Sequence, residues 1–370
     1  MKIGIVTFHR ALNFGAQMQM YALCAFLKRH GNDVFILNYH NSYLDDNNEK
    51  LFLISKYLRK NFIRGIKTLM QDIVTYFQIK AQPGSFTLVK KFENFVLSNF
   101  KLTLSFDRPE KMPTDFDCLI TGSDQVWNYH LTGGRKEVYF LDNKKTSGAH
   151  IRRISYAASA DNYSYKYLQA DKDYIRAVLS RFSHISAREK TLAALIEKEF
   201  DLRSDTVLDP TFLLDAKEYK SIAKKPDKSR YVLVYYVIQS KIARKIANKI
   251  AKDRNLEVKE VKPGGTGIRE EQNLGPTEVL GLILNADVVI STSFHATALS
   301  IISRKNFYSV FDFRPSARVS DLLMSLGLED RYITKMGCFR GYKPVDYNEA
   351  KLNESICYSK NWLLNAVKES

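Results

Sequence analysis

Ala286-Asp287-Val288-Val289-Ile290-Ser291-Thr292-Ser293-Phe294-His295 runs from a buried strand through a polar loop into the start of a helix. Val288, Val289 and Ile290 are apolar without alternation, which suits a strand covered on both faces of a parallel sheet. Ser293 is the candidate N-cap, because its hydroxyl can accept from an unsatisfied N–H of the first turn. The helix is expected over 294–303, with His295 in its first turn directed beyond the strand end.

The same unit repeats outward from this stretch. After it, 307–310 reads as a strand; before it come a helix at 277–284, a strand at 257–261, a helix at 241–254 and a strand at 231–238. In the first half, strands are expected at 2–7, 33–38, 116–121, 153–156, 184–186 and 205–208, with a helix at 16–28. Short apolar strands alternating with helices argue for stacked βαβ units. A Pro-containing, Lys-rich stretch over 209–230 interrupts the alternation and marks the boundary between lobes.

The expected fold class is therefore α/β, with two Rossmann-like lobes facing a cleft. Residues 1–210 form the first lobe, with a helical insertion at about 42–110; 211–345 form the second lobe, and 346–370 a C-terminal helical tail. Ligands in such folds gather outside the carboxyl ends of the strands.

Composition narrows the class. The chain has 370 residues, 45% hydrophobic and 26% charged, enough to bury cores and not the makeup of a disordered chain. Cys24, Cys118, Cys338 and Cys357 lie far apart without a CxxC pair, which fits a reducing compartment. The N-terminal apolar stretch is too short for a signal-peptide core, and the longest clean apolar run, 231–238, is too short for a membrane span. A cytoplasmic location is expected. The net charge of +16 draws acidic partners, yet no zinc-finger, basic-zipper or RRM pattern supports nucleic acid.

The insertion carries its own pattern over 51–77. At 100° per residue, Leu51, Ile54, Leu58, Phe62, Ile66 and Leu69 share one side of a helix. Lys56, Arg59, Lys60, Arg64 and Lys67 share the other, with no acid between Lys50 and Gln71. This is either a helix packed on the lobe with a solvated basic face, or a surface helix attracted to anionic lipid or a lipid-linked diphosphate.

Polar loops at three strand ends hold the candidate chemistry. Asn13-Phe14-Gly15-Ala16 opens the first helix, with Gln19 one turn on; free N–H groups there can hold an anion or a hydroxyl. It lacks the GxGxxG fingerprint, so no nicotinamide cofactor is indicated. Thr121-Gly122-Ser123-Asp124-Gln125-Val126-Trp127-Asn128 groups polar side chains beside an indole, which suits carbohydrate or, alternatively, a capped helix start over a core tryptophan. The third loop is the one ending at His295. Arg188-Glu189 follows another strand; its guanidinium can fork onto phosphate or carboxylate, or simply pair with its neighbour. No HxxxH or Cys/His cluster points to a metal.

The ordered set of motifs resembles the polysaccharide pyruvyl transferase family over roughly residues 2–330. The stretches are Asn13-Phe14-Gly15-Ala16 with Gln19 and Tyr21-Ala22-Leu23, Asp117 through Asn128, and Ile154-Ser155-Tyr156-Ala157-Ala158-Ser159. They continue with Ile185 through Glu189, Leu208-Asp209-Pro210-Thr211-Phe212-Leu213-Leu214, Ser293-Phe294-His295 and Arg318-Val319-Ser320-Asp321-Leu322-Leu323. The resemblance implies a GT-B-like fold and transfer of a pyruvyl group from phosphoenolpyruvate onto a sugar, commonly as a cyclic ketal. It implies no cofactor and no metal. The implied acceptor is a polysaccharide or its lipid-linked precursor, with peripheral contact at the inner face of a membrane in the latter case.

The resemblance also implies roles. Arg188 falls on a donor-binding arginine and His295 on the family's histidine, which suits a proton donor because imidazole ordinarily titrates near working pH. Where some members have arginine, this chain has Ser293, so Arg314 or Arg318 is expected to supply the second donor cation. Asp124 is the candidate for orienting or deprotonating the acceptor hydroxyl. Asn13, Gly15, Gln19, Ser123, Trp127 and Asn128 are the candidate acceptor contacts. Two alternatives stand beside this: a GT-B nucleotide-sugar glycosyltransferase, and a non-catalytic subunit of a polysaccharide assembly complex.

Overall fold

The computed structural model describes residues 1–44, 85–134, 137–143, 151–160, 164–227, 230–261 and 273–368. The basic amphipathic stretch at 51–77 lies outside the described residues. In chain order the main elements are β1 (Lys2–Val6), α1 (Phe14–Arg29), β2 (Asp33–Ile36), α2 (Ser85–Asn99), β3 (Lys101–Leu102), β4 (Cys118–Thr121) and β5 (Arg152–Ala158). There follow β6 (His184–Ala187), α3 (Lys190–Phe200), β7 (Asp205–Thr206), β8 (Tyr231–Tyr235), α4 (Lys241–Arg254) and β9 (Glu257–Val261). The chain finishes with α5 (Pro276–Asn285), β10 (Val288–Ser291), α6 (Phe294–Ile302), β11 (Asn306–Val310), α7 (Ala317–Leu326), β12 (Tyr332–Ile333) and α8 (Glu349–Lys368).

Two sheets result. The first runs β3-β2-β1-β4-β5-β6-β7 and the second β12-β11-β10-β8-β9, with parallel pairing throughout. Unbroken apolar runs explain the central strands: every residue of β4, β8 and β10 is buried. β8 stops at Tyr235, short of the apolar run's end, because the backbone N–H groups of Val237 and Ile238 turn to donate to Thr292 Oγ1 at 2.8 and 3.2 Å.

The sheets share a core. One apolar cluster runs from Ile3, Met18 and Leu23 on the first-sheet side to Leu233, Val289 and Leu299 on the second. Two elements tie the halves further. Lys91 of α2 donates to Glu278 of α5 at 2.6 Å, and α8 crosses back onto the first sheet. There, Ser359 accepts from the Leu208 N–H at 2.9 Å and Trp362 donates to Asp205 at 2.9 Å. The helical C-terminal segment thus packs on the first sheet. β3 also lies within the span expected to be insertion, since Phe35 and Ile36 pair with Lys101 and Leu102.

Candidate functional site

Five strand ends converge on one buried polar cluster. Beyond β4 come Ser123 and Asp124; beyond β5, Ser159; beyond β6, Arg188 and Glu189; beyond β7, Asp209. From the second sheet, β10 leads through Ser293 to Phe294 and His295 at the start of α6. The convergence follows from parallel topology, which sets all the carboxyl ends of a sheet along one edge.

Arg188 is the centre of the cluster. Its Nη1 donates to Asp209 Oδ2 at 2.8 Å, Nη2 to Ser159 Oγ at 3.0 Å and Nε to Glu189 Oε1 at 3.4 Å. Asp124 Oδ1 stands 3.6 Å from Nη2, and the guanidinium carbon lies 4.4 Å from the centre of the Phe294 ring. The side chain is 2% exposed. A buried guanidinium costs several kcal/mol unless paired and hydrogen-bonded, and here both conditions are met. Burial works against its charge, but Glu189, Asp209 and Asp124 outweigh that and keep it firmly protonated.

Asp209 links the two sheets. Its Oδ1 accepts from the Thr211 N–H at 3.0 Å and hydroxyl at 2.8 Å, while Ser123 Oγ donates to Oδ2 at 3.3 Å. His295 Nε2 lies 3.6 Å from the same Oδ2, buried and without a hydrogen-bond partner among the described residues. Burial opposes ionisation of Asp209, but His295, Arg188 and the Thr211 N–H overcome it and hold the carboxyl well below the usual range. Glu189 is the reverse case: burial pushes its carboxyl up, against the pull of Arg188, Arg318 and Ser159.

Gly15 shapes the histidine's seat. A methyl group there would come within 2.0 Å of His295 Nδ1, so only glycine lets the start of α1 pack against the imidazole. Beside the cluster opens a cleft of about 660 Å³, whose walls include Arg188, Asp209, Phe294, Arg318 of α7 and Tyr358 of α8.

Of the residues singled out in the sequence, His295, Arg188, Asp124, Ser123 and Gly15 come together here, and Arg318 joins them from the cleft wall. With its amide oriented by its neighbours, Gln125 accepts from Arg318 Nη1 at 3.0 Å. Ser293 caps α6, accepting from the Ala296 N–H at 3.4 Å. Arg314 sits exposed on the loop after β11.

Three expected acceptor contacts, Trp127, Asn128 and Gln19, are corrected, while Asn13 serves as a helix cap and stays exposed. Trp127 is 3% exposed, donates to the Tyr139 carbonyl at 3.2 Å and stacks on Phe140 at 5.0 Å, so its ring covers core and not sugar. Asn128 caps a short helix, accepting from the N–H groups of His130 and Leu131. Asn13 caps α1 through the Ala16 N–H at 3.1 Å. Gln19 is fully buried, donating to Thr7 Oγ1 at 2.8 Å and accepting from the Ser123 N–H at 3.2 Å.

Asp209, Glu189 and Ser159 join the cluster without standing out in the sequence as candidates for chemistry. For Asp209 the available signal is an aspartate directly after a short strand and before Pro210. Glu189 beside Arg188 reads from sequence as an ordinary surface pair, yet it is 1% exposed.

The model of one protein family, polysaccharide pyruvyl transferase, matches residues 13–311. No curated protein sequence matches the chain. Among solved structures, the chain is similar to a Listeria monocytogenes protein assigned as a UDP-N-acetylglucosamine 2-epimerase, with TM-score 0.51 and 8% identity over 99% of this chain and 95% of that one. The UDP-GlcNAc 2-epimerase of Neisseria meningitidis gives TM-score 0.44 and 11% identity, covering 100% of this chain and 98% of that one. The first likeness concerns fold alone, and it agrees with the GT-B-like pair of parallel sheets.

Proposed function

The chain belongs to the polysaccharide pyruvyl transferase family, and from that premise we propose that it moves a pyruvyl group from phosphoenolpyruvate onto a sugar as a ketal. The observation that carries this is His295, whose buried Nε2 has no hydrogen-bond partner among the described residues and faces Asp209 at 3.6 Å. A group set this way can carry a proton with a carboxylate at hand to stabilise the charge.

A proton delivered to the methylene carbon turns it into a methyl group and leaves C2 electrophilic. A sugar hydroxyl adds to C2, the C2–O bond to phosphate breaks, and a second hydroxyl closes the ketal. Two hydroxyl protons are released; one replaces the proton spent on carbon and the other leaves on phosphate. His295 supplies the first proton, Asp209 positions the imidazole, and Arg188 holds Asp209 in place. Asp124, at the cluster's edge and 13% exposed, is suited to accept the hydroxyl proton. No cofactor is part of this scheme.

The acceptor is proposed to be a polysaccharide or its lipid-linked precursor, with the basic stretch at 51–69 meeting an anionic membrane surface from the cytoplasmic side. No helix among the described residues is long and apolar enough to cross a membrane. The test is incubation with phosphoenolpyruvate and mixed saccharides in deuterated water. Ketal formation with one deuterium in each new methyl group supports the scheme; a ketal methyl without solvent deuterium removes the protonation step.

A further inference from the structure

Arg188 is already engaged by protein groups. Asp209, Glu189 and Asp124 surround it, and its N–H groups point at protein acceptors. A donor bearing both phosphate and carboxylate therefore needs other cations. The cleft wall provides them from separate elements: Lys190 at the first residue of α3, Arg318 on α7 and Lys351 on α8. Lys190 and Lys351 are exposed and form no ion pair with any described residue. The acids on the same wall are Asp209, Asp321 and Glu354. Asp209 is already committed to Arg188 and Thr211; burial raises the Asp321 carboxyl against the pull of Lys190.

We propose that Lys190 and Lys351, with Arg318, form the seat for the anionic groups of a small organic phosphate. The helix that crosses back from the C-terminus thereby completes the donor site. Lys190 also opens an eleven-residue helix whose first turn has no side-chain cap. Lys351 lies beyond residue 311, where the family match ends, so this part of the seat belongs to the chain's own C-terminal segment. The identity of the anion as phosphoenolpyruvate rests on the proposed function; the cation seat itself does not.

The test measures binding of phosphoenolpyruvate and of inorganic phosphate to the full chain by calorimetry, alongside donor KM. Lys190→Gln and Lys351→Gln are each expected to weaken both ligands about tenfold, and Lys351→Arg to stay within about threefold of wild type. Weakened binding of both ligands supports the seat even if no ketal forms, in which case it is the transfer reading that fails. Unchanged affinity in both Gln variants, or no binding of either ligand to wild type, overturns the seat; ketal formation by those variants at an unchanged donor KM overturns the seat alone.

Discussion

His295 Nε2 lies 3.6 Å from Asp209 Oδ2, and the two residues come from different sheets. The pair exists only because β7 and β10 end at the same place. Anything that disturbs the packing of one sheet's helices on the other is thereby felt in the distance between them.

Gly15→Ala tests that sensitivity. The added methyl would stand 2.0 Å from Nδ1, and the imidazole must move. Overpacking of this kind costs about 1–3 kcal/mol, partly offset by alanine's better helix propensity, about 1 kcal/mol. The folded variant is expected to lose about tenfold or more in kcat with little loss of melting temperature. Wild-type turnover would show that the ring's seat is irrelevant.

Asp209→Asn removes the carboxylate that faces the histidine. We expect kcat to fall about 100-fold with donor KM changed by less than about threefold, and Asp209→Glu to recover part of the loss. Stability carries a second signature. Because the folded carboxyl is held low, its contribution is fully present above the unfolded value near 4 and is lost as pH falls through the folded value. Urea unfolding of the Asn variant should therefore lack part of the acid limb; an identical acid limb in both proteins would contradict the assignment.

Arg188→Lys keeps the charge and loses the three-way fork. The resemblance implied a donor contact, and hence a raised donor KM. The geometry gives a different expectation: lost stability of about 2–3 kcal/mol and lower kcat, because Asp209, Ser159 and Glu189 lose their shared partner. Steady-state kinetics separate the two, since a pure KM effect would restore the donor-contact role.

Much of this was legible because its signals are local. Apolar runs placed the strands, and Ser293 announced the cap of α6 that sets His295 in its first turn. What was not legible depends on contacts far apart in sequence. Trp127 among polar neighbours looks like a sugar platform until Tyr139 and Phe140 are seen to enclose it. Glu189 looks solvated until Ser159, thirty positions earlier, is found donating to it at 2.6 Å. Asp209 becomes a site residue only when Arg188 and His295 arrive from elsewhere in the chain, and no spacing in the sequence encodes that meeting.

His9, buried after β1, gives a pH effect away from the cluster. Burial lowers its imidazole to about 4, with Arg10 adding to the effect and hydrogen bonds to Asn38 and the Thr7 carbonyl opposing it. Between the unfolded value near 6.5 and about 4, the unfolded chain binds a proton that the folded chain does not, so stability falls as pH drops. This group alone should remove about 2 kcal/mol between pH 7 and pH 5. His9→Gln should flatten that part of the urea-midpoint profile; parallel profiles would contradict the account.

The central claim is that His295 delivers the proton that starts pyruvyl transfer. Its most direct measurement follows ¹³C-labelled phosphoenolpyruvate by NMR, with saccharide acceptors, for wild type and folded His295→Gln. The account predicts a ketal methyl signal growing in step with inorganic phosphate in the wild type, and a rate lower by about 100-fold or more in the variant. Ketal formation by His295→Gln at the wild-type rate would contradict it.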